Sequence, residues 1–141
     1  SLPKVELKDN FDELRKGEAL VVMGYPGSAP QVYKLNLSKD FLNQEAKTTV
    51  IPDPTVSTTT IGNIVKTDLK NLENLRVSDA GDSIRYAVSL TGGGNSGGPV
   101  FDMMGRVIGI HFAGDGRQAG FAVPIRYGIQ LFPNGGETSV K

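Results

Sequence analysis

Ser96 lies in an unusual sequence setting. It stands within Thr91–Asp102 (TGGGNSGGPVFD), among five glycines and a proline, directly after a β-prone run. A serine hydroxyl is a poor nucleophile unless it is positioned and deprotonated. Glycines allow the backbone conformations that aim amide N–H groups at one point, which an oxyanion hole requires. The segment therefore predicts that Ser96 is a nucleophile and that the N–H groups of Gly94 and Ser96 converge on a substrate carbonyl oxygen.

Two other interpretations of this segment have to be weighed. Glycine-rich turns are common, and most serines in them are only solvated. Residues 94–98 (GNSGG) also fit the Gly-x-Ser-x-Gly elbow of α/β-hydrolases, which requires a turn from a strand into a helix. Residues 99–101 (PVF) cannot readily begin that helix. A turn at residues 104–105 (MG), followed by RVIGIHFAG, indicates a β-hairpin after Ser96 instead.

Short β-prone runs separated by glycine and proline occur along the whole chain. Eighteen glycines and eight prolines punctuate it, a pattern typical of an all-β sandwich or barrel. We expect an all-β fold, a six- to seven-stranded antiparallel β-barrel. The runs predicted to be strands are Ala19–Gly24, Gln31–Leu37, Thr59–Lys66, Ile84–Leu90, Pro99–Phe101, Arg106–Phe112 and Gly120–Pro124.

The remaining segments are predicted to connect or flank the barrel. Phe11–Lys16 (FDELRK) is followed by glycine and is expected to form a single turn before the first strand. Residues 38–57 and 69–83 are predicted to be loops. We assign residues 1–132 to one barrel domain and residues 133–141 (PNGGETSVK) to a flexible tail.

The composition excludes several classes of function. Fifteen basic and fifteen acidic residues cancel and form no long basic run, so we expect no nucleic-acid partner. The chain has one histidine and no cysteine, which excludes a disulfide and a cysteine nucleophile and argues against a zinc site. We predict no metal and no cofactor.

No run reaches the roughly 18 apolar residues of a membrane helix, so we expect a soluble chain without a membrane span. Its start at Ser1 fits a processed or trimmed chain.

Several motifs in order resemble one protein family. The run GNSGGPVFDMMGRVIGI, followed by GFAVPI, resembles the nucleophile region of bacterial trypsin-like (chymotrypsin-fold) serine proteases, of both the HtrA and the glutamyl-endopeptidase types. Upstream, LPKVELKDNFDELRKGEALVVMGYPG is similar to the segment that opens the second barrel in those families, where Gly-Glu precedes an apolar strand ending in a Gly-Tyr/Asn-Pro-Gly turn. The resemblance covers residues 2–125, although 38–83 match no motif. It implies the C-terminal barrel of a trypsin-like peptidase.

The resemblance also implies roles for the residues around the nucleophile. Ser96 would form the acyl-enzyme, and Gly94 and Ser96 would supply the oxyanion-hole N–H groups. Asn95 lies in the oxyanion loop where digestive trypsins have an aspartate that pairs with a newly cut N-terminus, so we expect no such activation switch. The family order is His, Asp, then Ser, yet no histidine precedes Ser96. We therefore expect the missing N-terminal barrel to carry both partners and the isolated chain to be inactive.

The single histidine, His111, lies fifteen residues after Ser96, and Thr91 lies five before it. In glutamyl endopeptidases a threonine and a histidine at these spacings bind the P1 carboxylate, so the resemblance implies that Thr91 and His111 bind substrate. A P1 preference for Glu or Gln is a hypothesis, and the alternative is a structural, hydrogen-bonded histidine. His111 is disfavoured as the general base, because the resemblance implies that it faces the specificity pocket and not the nucleophile. Asp102 and Asp115 have no motif-based claim to that role and are expected to be solvated turn residues.

Three functions are compatible with this sequence. The first is half of a serine endopeptidase that cleaves polypeptides. The second is a non-catalytic, protease-like module that binds extended peptides by strand addition or acts as a scaffold, and the third is a viral-type processing protease. The retained GNSGG motif favours catalysis.

A barrel without its partner would expose apolar side chains, so we expect self-association through the inter-barrel face. The resemblance favours a bacterial cell-envelope or secreted location.

Overall fold

Strands make up most of the structure, a computed structural model that describes residues 3–25, 32–36, 42, 47–51, 53–66, 81–87, 94–114 and 119–132. The strands are β1 (Ala19–Gly24), β2 (Val32–Asn36), β3 (Lys47–Ile51), β4 (Thr55–Val65), β5 (Ser83–Ala87), β6 (Pro99–Asp102), β7 (Val107–Gly114) and β8 (Ala119–Pro124). A short helix, α1 (Arg126–Ile129), follows β8.

Six of the strands form a closed antiparallel barrel in the order β1, β4, β5, β8, β7 and β6. Pairing of β6 with β1 closes it, so each barrel strand has a neighbour on both sides. The hairpin of β2 and β3 is inserted between β1 and β4 and forms a separate two-stranded sheet. The predicted all-β fold with a six- to seven-stranded antiparallel barrel is therefore confirmed, with six strands.

Alternating residues of the barrel strands fill its interior. In β1, Leu20 and Val22 are buried while their neighbours are more exposed, because the two-residue period of a strand places alternate side chains on one face. Burial of each large aliphatic side chain contributes about 1.5–3 kcal/mol. This core fixes the relative positions of the strands around Ser96. Its other buried members are Phe11, Leu14, Ile61, Ile84, Tyr86, Val100, Ile108 and Ala122.

The segment before β1 packs onto the outside of the barrel and reaches its core. The Lys8 backbone N–H donates to the Val107 carbonyl at 2.9 Å, which joins the segment to β7. The turn predicted at Phe11–Lys16 is present as a single turn, in which Leu14 N donates to Asn10 O at 3.1 Å. The turn inserts its phenylalanine into the core, where it is 2% exposed.

Arg126 of α1 holds the same segment in place. Its guanidinium Nη2 lies 2.7 Å from Asp12 Oδ2 and 3.0 Å from Asp9 Oδ1. The guanidinium also lies over the Phe11 ring, with its Cζ atom 5.1 Å from the ring centroid. Hydrogen bonds from Arg126 and then Lys66 lower the pKa of Asp12. The helix thus attaches the N-terminal segment to the end of the barrel.

The sequence did not predict two elements, β3 and α1, and several predicted strands have different bounds in the structure. β3 lies within residues 38–57, which were predicted to be a loop, and β4 begins at Thr55 rather than Thr59. The sequence KTTVI of β3 is rich in β-branched residues, but polar residues and prolines on either side obscure it. Pairing with β2 supplies its interstrand hydrogen bonds. The helix α1, with four residues, is too short to give a periodic signal.

Several predictions concern residues outside those described. They include the ends of the predicted strands Gln31–Leu37 and Ile84–Leu90, the loop from 69 to 80 and the tail 133–141. The predicted loop 69–83 is too long by one residue, because Ser83 already belongs to β5. The assignment of residues 1–132 to a barrel domain and 133–141 to a tail stays a prediction.

Candidate active site

The loop that carries Ser96 immediately precedes β6. Gly94 and Gly97 have φ angles of 109° and 91°, in the region that favours glycine because it has no Cβ atom. Gly98 N donates to Asn95 O at 2.9 Å and closes a tight turn. Ser96 lies inside this turn and is exposed. The glycines therefore give the backbone a sharp bend that presents the serine to solvent.

Hydrogen bonds hold this loop against β7. Gly97 N donates to the His111 carbonyl at 2.7 Å, and His111 N donates to Gly98 O at 2.8 Å. The Ser96 hydroxyl donates to the backbone carbonyl of Phe112 at 3.2 Å. Because β7 is paired on both sides in the barrel, these bonds attach the loop to a well-supported strand.

The loop also packs closely against the end of β1. A Cβ atom at Gly98 would overlap the carbonyl oxygen of Met23, and one at Gly24 would overlap the side chain of Asn95. Asn95 itself is 3% exposed. The close approach of two backbones explains why glycine occupies both positions. The apolar strand that ends in glycine, recognised in the sequence, thus supports the loop of Ser96.

The two backbone donors predicted for an oxyanion hole are the N–H groups of Gly94 and Ser96. Among the described residues, the N–H groups of Gly94 and Ser96 have no hydrogen-bond acceptor. N–H groups that are free in this way can bind the oxygen of a carbonyl under attack. Convergence of these two N–H groups on one substrate oxygen stays a prediction.

His111 lies on β7 and is 6% exposed. Its Nδ1 atom is 2.7 Å from the hydroxyl oxygen of Tyr86 on β5. Burial lowers the pKa of His111 and raises that of Tyr86. The imidazole is therefore neutral and the phenol keeps its proton at pH 7. The sequence predicted a role for His111 but did not single out Tyr86.

Among the described residues, no side-chain hydrogen bond joins His111 to Ser96. The hydrogen bond of the Ser96 hydroxyl goes to a backbone carbonyl, and the imidazole Nδ1 is bonded to Tyr86. His111 is the only histidine of the chain. Within the described residues, a His–Asp pair next to Ser96 is therefore not present.

The acidic residues weighed in the sequence fall in different places. Asp102 caps the turn between β6 and β7, accepting from Met104 N at 2.9 Å and Arg106 N at 3.0 Å. Its Oδ2 atom also lies 2.7 Å from Arg106 Nη2. Burial raises the pKa of Asp102, but the hydrogen bonds from Arg106 and Met104 outweigh it and lower the pKa overall. Asp102 thus lies at a turn, as expected, but its side chain is only 14% exposed and is hydrogen-bonded, so the prediction that it is solvated is wrong. Asp115 and Thr91 lie outside the described residues.

The described residues contain no group of three or more His, Asp or Glu side chains that could hold a metal ion. No helix among them is long and apolar enough to cross a membrane.

Residues 1–110 match the trypsin-like peptidase domain. The chain belongs to the trypsin-like peptidase family. This match confirms the resemblance seen in the motifs around Ser96 and in the segment that leads into β1. No curated protein matches the chain.

Two solved structures of HtrA-type and related proteins have a similar fold. One is the HtrA-type protease AlgW, a serine-to-alanine variant with a decapeptide, at 23% identity and a TM-score of 0.57, covering 92% of this chain and 32% of that one. The other is Deg5, at 18% identity and a TM-score of 0.51, covering 92% of this chain and 46% of that one. At these identities the likeness shows the fold, and this chain spans about a third to a half of their length.

Proposed function

We propose that this chain is the C-terminal barrel of a serine endopeptidase and that Ser96 is its nucleophile. One observation carries the proposal: the exposed Ser96 lies in a turn formed by Gly94 and Gly97 at positive φ, and that turn is attached to β7 and packed on β1. A serine that was merely solvated would not need this support. Positioning of the nucleophile and of two N–H donors is what acyl transfer requires.

In this proposal the reaction passes through an acyl-enzyme. A general base takes the proton of Ser96 Oγ as that oxygen attacks the substrate carbonyl carbon, and the N–H groups of Gly94 and Ser96 bind the negative oxygen that forms. The C–N bond then breaks, the leaving amine receives the proton, and water hydrolyses the ester. Asn95, packed against Gly24, keeps the loop in position.

The general base in this proposal comes from an N-terminal barrel that supplies both a histidine and an aspartate. The absence of a histidine before Ser96 in the sequence supports this, as does the bond between His111 and Tyr86. The 141-residue chain alone is then inactive. The active protein acts on polypeptides in the bacterial cell envelope or outside the cell.

The specificity pocket in this proposal contains Thr91 and His111 and accepts Glu or Gln at P1. His111 is buried near the strand segment that binds the Ser96 hydroxyl, which supports a location beside the nucleophile. A neutral imidazole can donate one N–H to an oxygen of the P1 side chain, and the Thr91 hydroxyl would donate a second bond.

A second candidate function is peptide binding without catalysis. The hairpin of β2 and β3 favours it, because Tyr33 and Val50 are paired opposite each other and Leu35 lies two residues along the same face. These three side chains are 61%, 47% and 60% exposed. An apolar face of this kind can receive an extended apolar peptide.

Peptide hydrolysis separates the two candidates. The protein is produced with its upstream coding sequence and assayed on a peptide library, with Ser96→Ala as the matched variant. We expect the substitution to lower kcat by about 10⁶-fold, as the loss of a nucleophilic serine does. Equal hydrolysis by both forms, or peptide binding without hydrolysis by either, would reject Ser96 as the nucleophile.

A further inference from the structure

Three side chains form a row across β5, β8 and β7, which we call the outer row: Arg85, Phe121 and Phe112. Arg85 is paired opposite Phe121 on the neighbouring strand, and its Cζ atom lies 5.2 Å from the centroid of that ring. The ring of Phe112 follows, with its centroid 6.2 Å from that of Phe121. Arg85 and Phe121 each lie between buried residues of their strands, so both face away from the core. The row is therefore on the outer surface of the barrel.

The outer row ends beside Ser96. The Ser96 hydroxyl donates to the backbone carbonyl of Phe112 at 3.2 Å, so the aromatic end of the row is next to the proposed nucleophile. The two contacts from the Phe112 ring to the Arg85 guanidinium together span about three to four residues of extended chain, each ~3.3–3.6 Å long. An extended polypeptide held at Ser96 can therefore pass over the rings and place one of its side chains at Arg85.

The positive charge of Arg85 has no counter-charge among the described residues. None of their ion pairs involves it, and its Nε–H group is buried without a hydrogen-bond acceptor. On β4 the residue paired with it is Asn63, whose Oδ1 atom already accepts from Ile64 N at 3.0 Å. The Phe121 ring attracts the cation but gives the Nε–H group no acceptor. The arginine thus lacks the acceptor that a buried donor of a charged group requires.

The same arginine is open to solvent at the outer surface. Arg85 and Phe121 are half-buried, and Asn63 and Ala87, which border Arg85 on the outer face, are exposed. Phe112 is 40% exposed and offers apolar area to a peptide. A carboxylate accepts two parallel N–H bonds from a guanidinium. The outer row therefore has the chemistry of a subsite for an acidic side chain.

We propose that Arg85, together with the two rings of the outer row, binds a Glu or Asp side chain of the substrate about two to five residues from the scissile bond. The carboxylate supplies the acceptor that the Nε–H group lacks. This inference rests on the proposed function, because it takes the peptide to be held at Ser96. It concerns a site separate from the proposed P1 pocket, because His111 bonds to Tyr86 on the inner face of β5, whereas Arg85 is on the outer face.

The first test measures peptide binding without cleavage. The protein with its upstream sequence carries Ser96→Ala, and fluorescence anisotropy gives the Kd of labelled peptides. All peptides have Gln at P1 and differ only in Glu or Gln at one other position. We expect Glu to lower the Kd by about tenfold at a position in the proposed range, the effect of about one charge-assisted hydrogen bond. We expect Arg85→Gln to abolish this difference.

Two further variants separate recognition from a structural role. Arg15→Gln is the matched control, since Arg15 is exposed and has no ion pair among the described residues, and it should leave the Glu preference unchanged. Arg85→Lys keeps the charge but not the planar guanidinium, and is expected to retain part of the preference. Equal Kd values for Glu and Gln at every position, or a Glu preference that survives Arg85→Gln, overturns the inference.

The second test compares the same peptides by kcat/KM in the protein with Ser96 intact. We expect Glu to lower KM and to leave kcat unchanged, because Arg85 is remote from the reacting atoms. If the peptides are cleaved but Glu gives no advantage, the subsite is wrong and the proposed nucleophile stands. If none is cleaved while Glu still binds through Arg85, the nucleophile is wrong and the subsite stands. Neither cleavage nor binding rejects both.

Discussion

At Gly98 the loop that carries Ser96 and β1 are so close that a Cβ atom would overlap the carbonyl oxygen of Met23. We predict that Gly98→Ala lowers the free energy of unfolding by about 1–3 kcal/mol, the usual cost of overpacking. The matched control is Gly62→Ala, whose Cβ would lie 3.6 Å from the Arg85 carbonyl oxygen and should change stability by less than about 0.5 kcal/mol. Urea unfolding measures both, and equal effects would contradict the close packing of this loop.

The pH dependence of the free energy of unfolding tests whether His111 is buried. Burial lowers its pKa from the ordinary 6.5, so the unfolded chain binds this proton more readily than the folded chain. The contribution to stability is therefore complete above about pH 6.5 and is lost as the pH falls through the lowered pKa of the folded state. We expect the free energy of unfolding to decline as the pH falls from about 7 to below the ordinary pKa of 6.5, and His111→Gln to remove most of that decline. Urea unfolding across this range measures it, and an undiminished decline in His111→Gln would contradict the burial.

The sequence predicted the loop of Ser96 better than the barrel interior around His111. Ser96, Gly94 and Asn95 form a contiguous motif whose glycines indicate a special backbone, and the structure places them in such a turn. Tyr86 lies 25 residues from His111, on a strand that is not adjacent to β7, so no local pattern connects the two. A tyrosine in phase with the buried positions of a predicted strand was the only available signal.

Among the elements, α1 and the segment before β1 depend on each other through Arg126. We predict that Arg126→Ala lowers the free energy of unfolding by about 1 kcal/mol, because it removes exposed ion pairs and a cation–π contact, and that high salt reduces the difference. Lys4→Ala is the control, since Lys4 is exposed and has no ion pair among the described residues. Thermal unfolding at low and high salt measures this. A loss of stability for Lys4→Ala as large as that for Arg126→Ala would contradict the role of Arg126.

The strands show where sequence patterns are informative. β1 has the bounds predicted for it, because its apolar run is bounded by glutamate and by a Gly-Tyr-Pro-Gly turn. β3 was missed because all five of its residues are exposed and no apolar alternation marks it. Its existence depends on pairing with β2, which is a tertiary contact and not a local preference. The sequence therefore predicted the barrel but not the hairpin inserted into it.

For the whole molecule, the exposed apolar residues predict self-association. A two-stranded sheet is marginally stable alone in water, and the face formed by Tyr33, Leu35 and Val50 is exposed. We predict that the chain alone shows concentration-dependent sedimentation. The double variant Tyr33→Ser with Leu35→Ser is expected to weaken this self-association, because it removes apolar side chains from the exposed hairpin face. A monomer at every concentration would contradict the prediction.

Labelling by a fluorophosphonate tests the central claim most directly, because the reagent reacts with serines that are activated as nucleophiles. The 141-residue chain and the protein with its upstream sequence are each treated, with Ser96→Ala as control, and the products are read by intact mass. We expect labelling at Ser96 only when the upstream sequence is present. Labelling of Ser96 in the chain alone would show that a base exists within it and would contradict the proposal that an N-terminal barrel supplies the base. Absence of labelling in both forms would contradict Ser96 as the nucleophile.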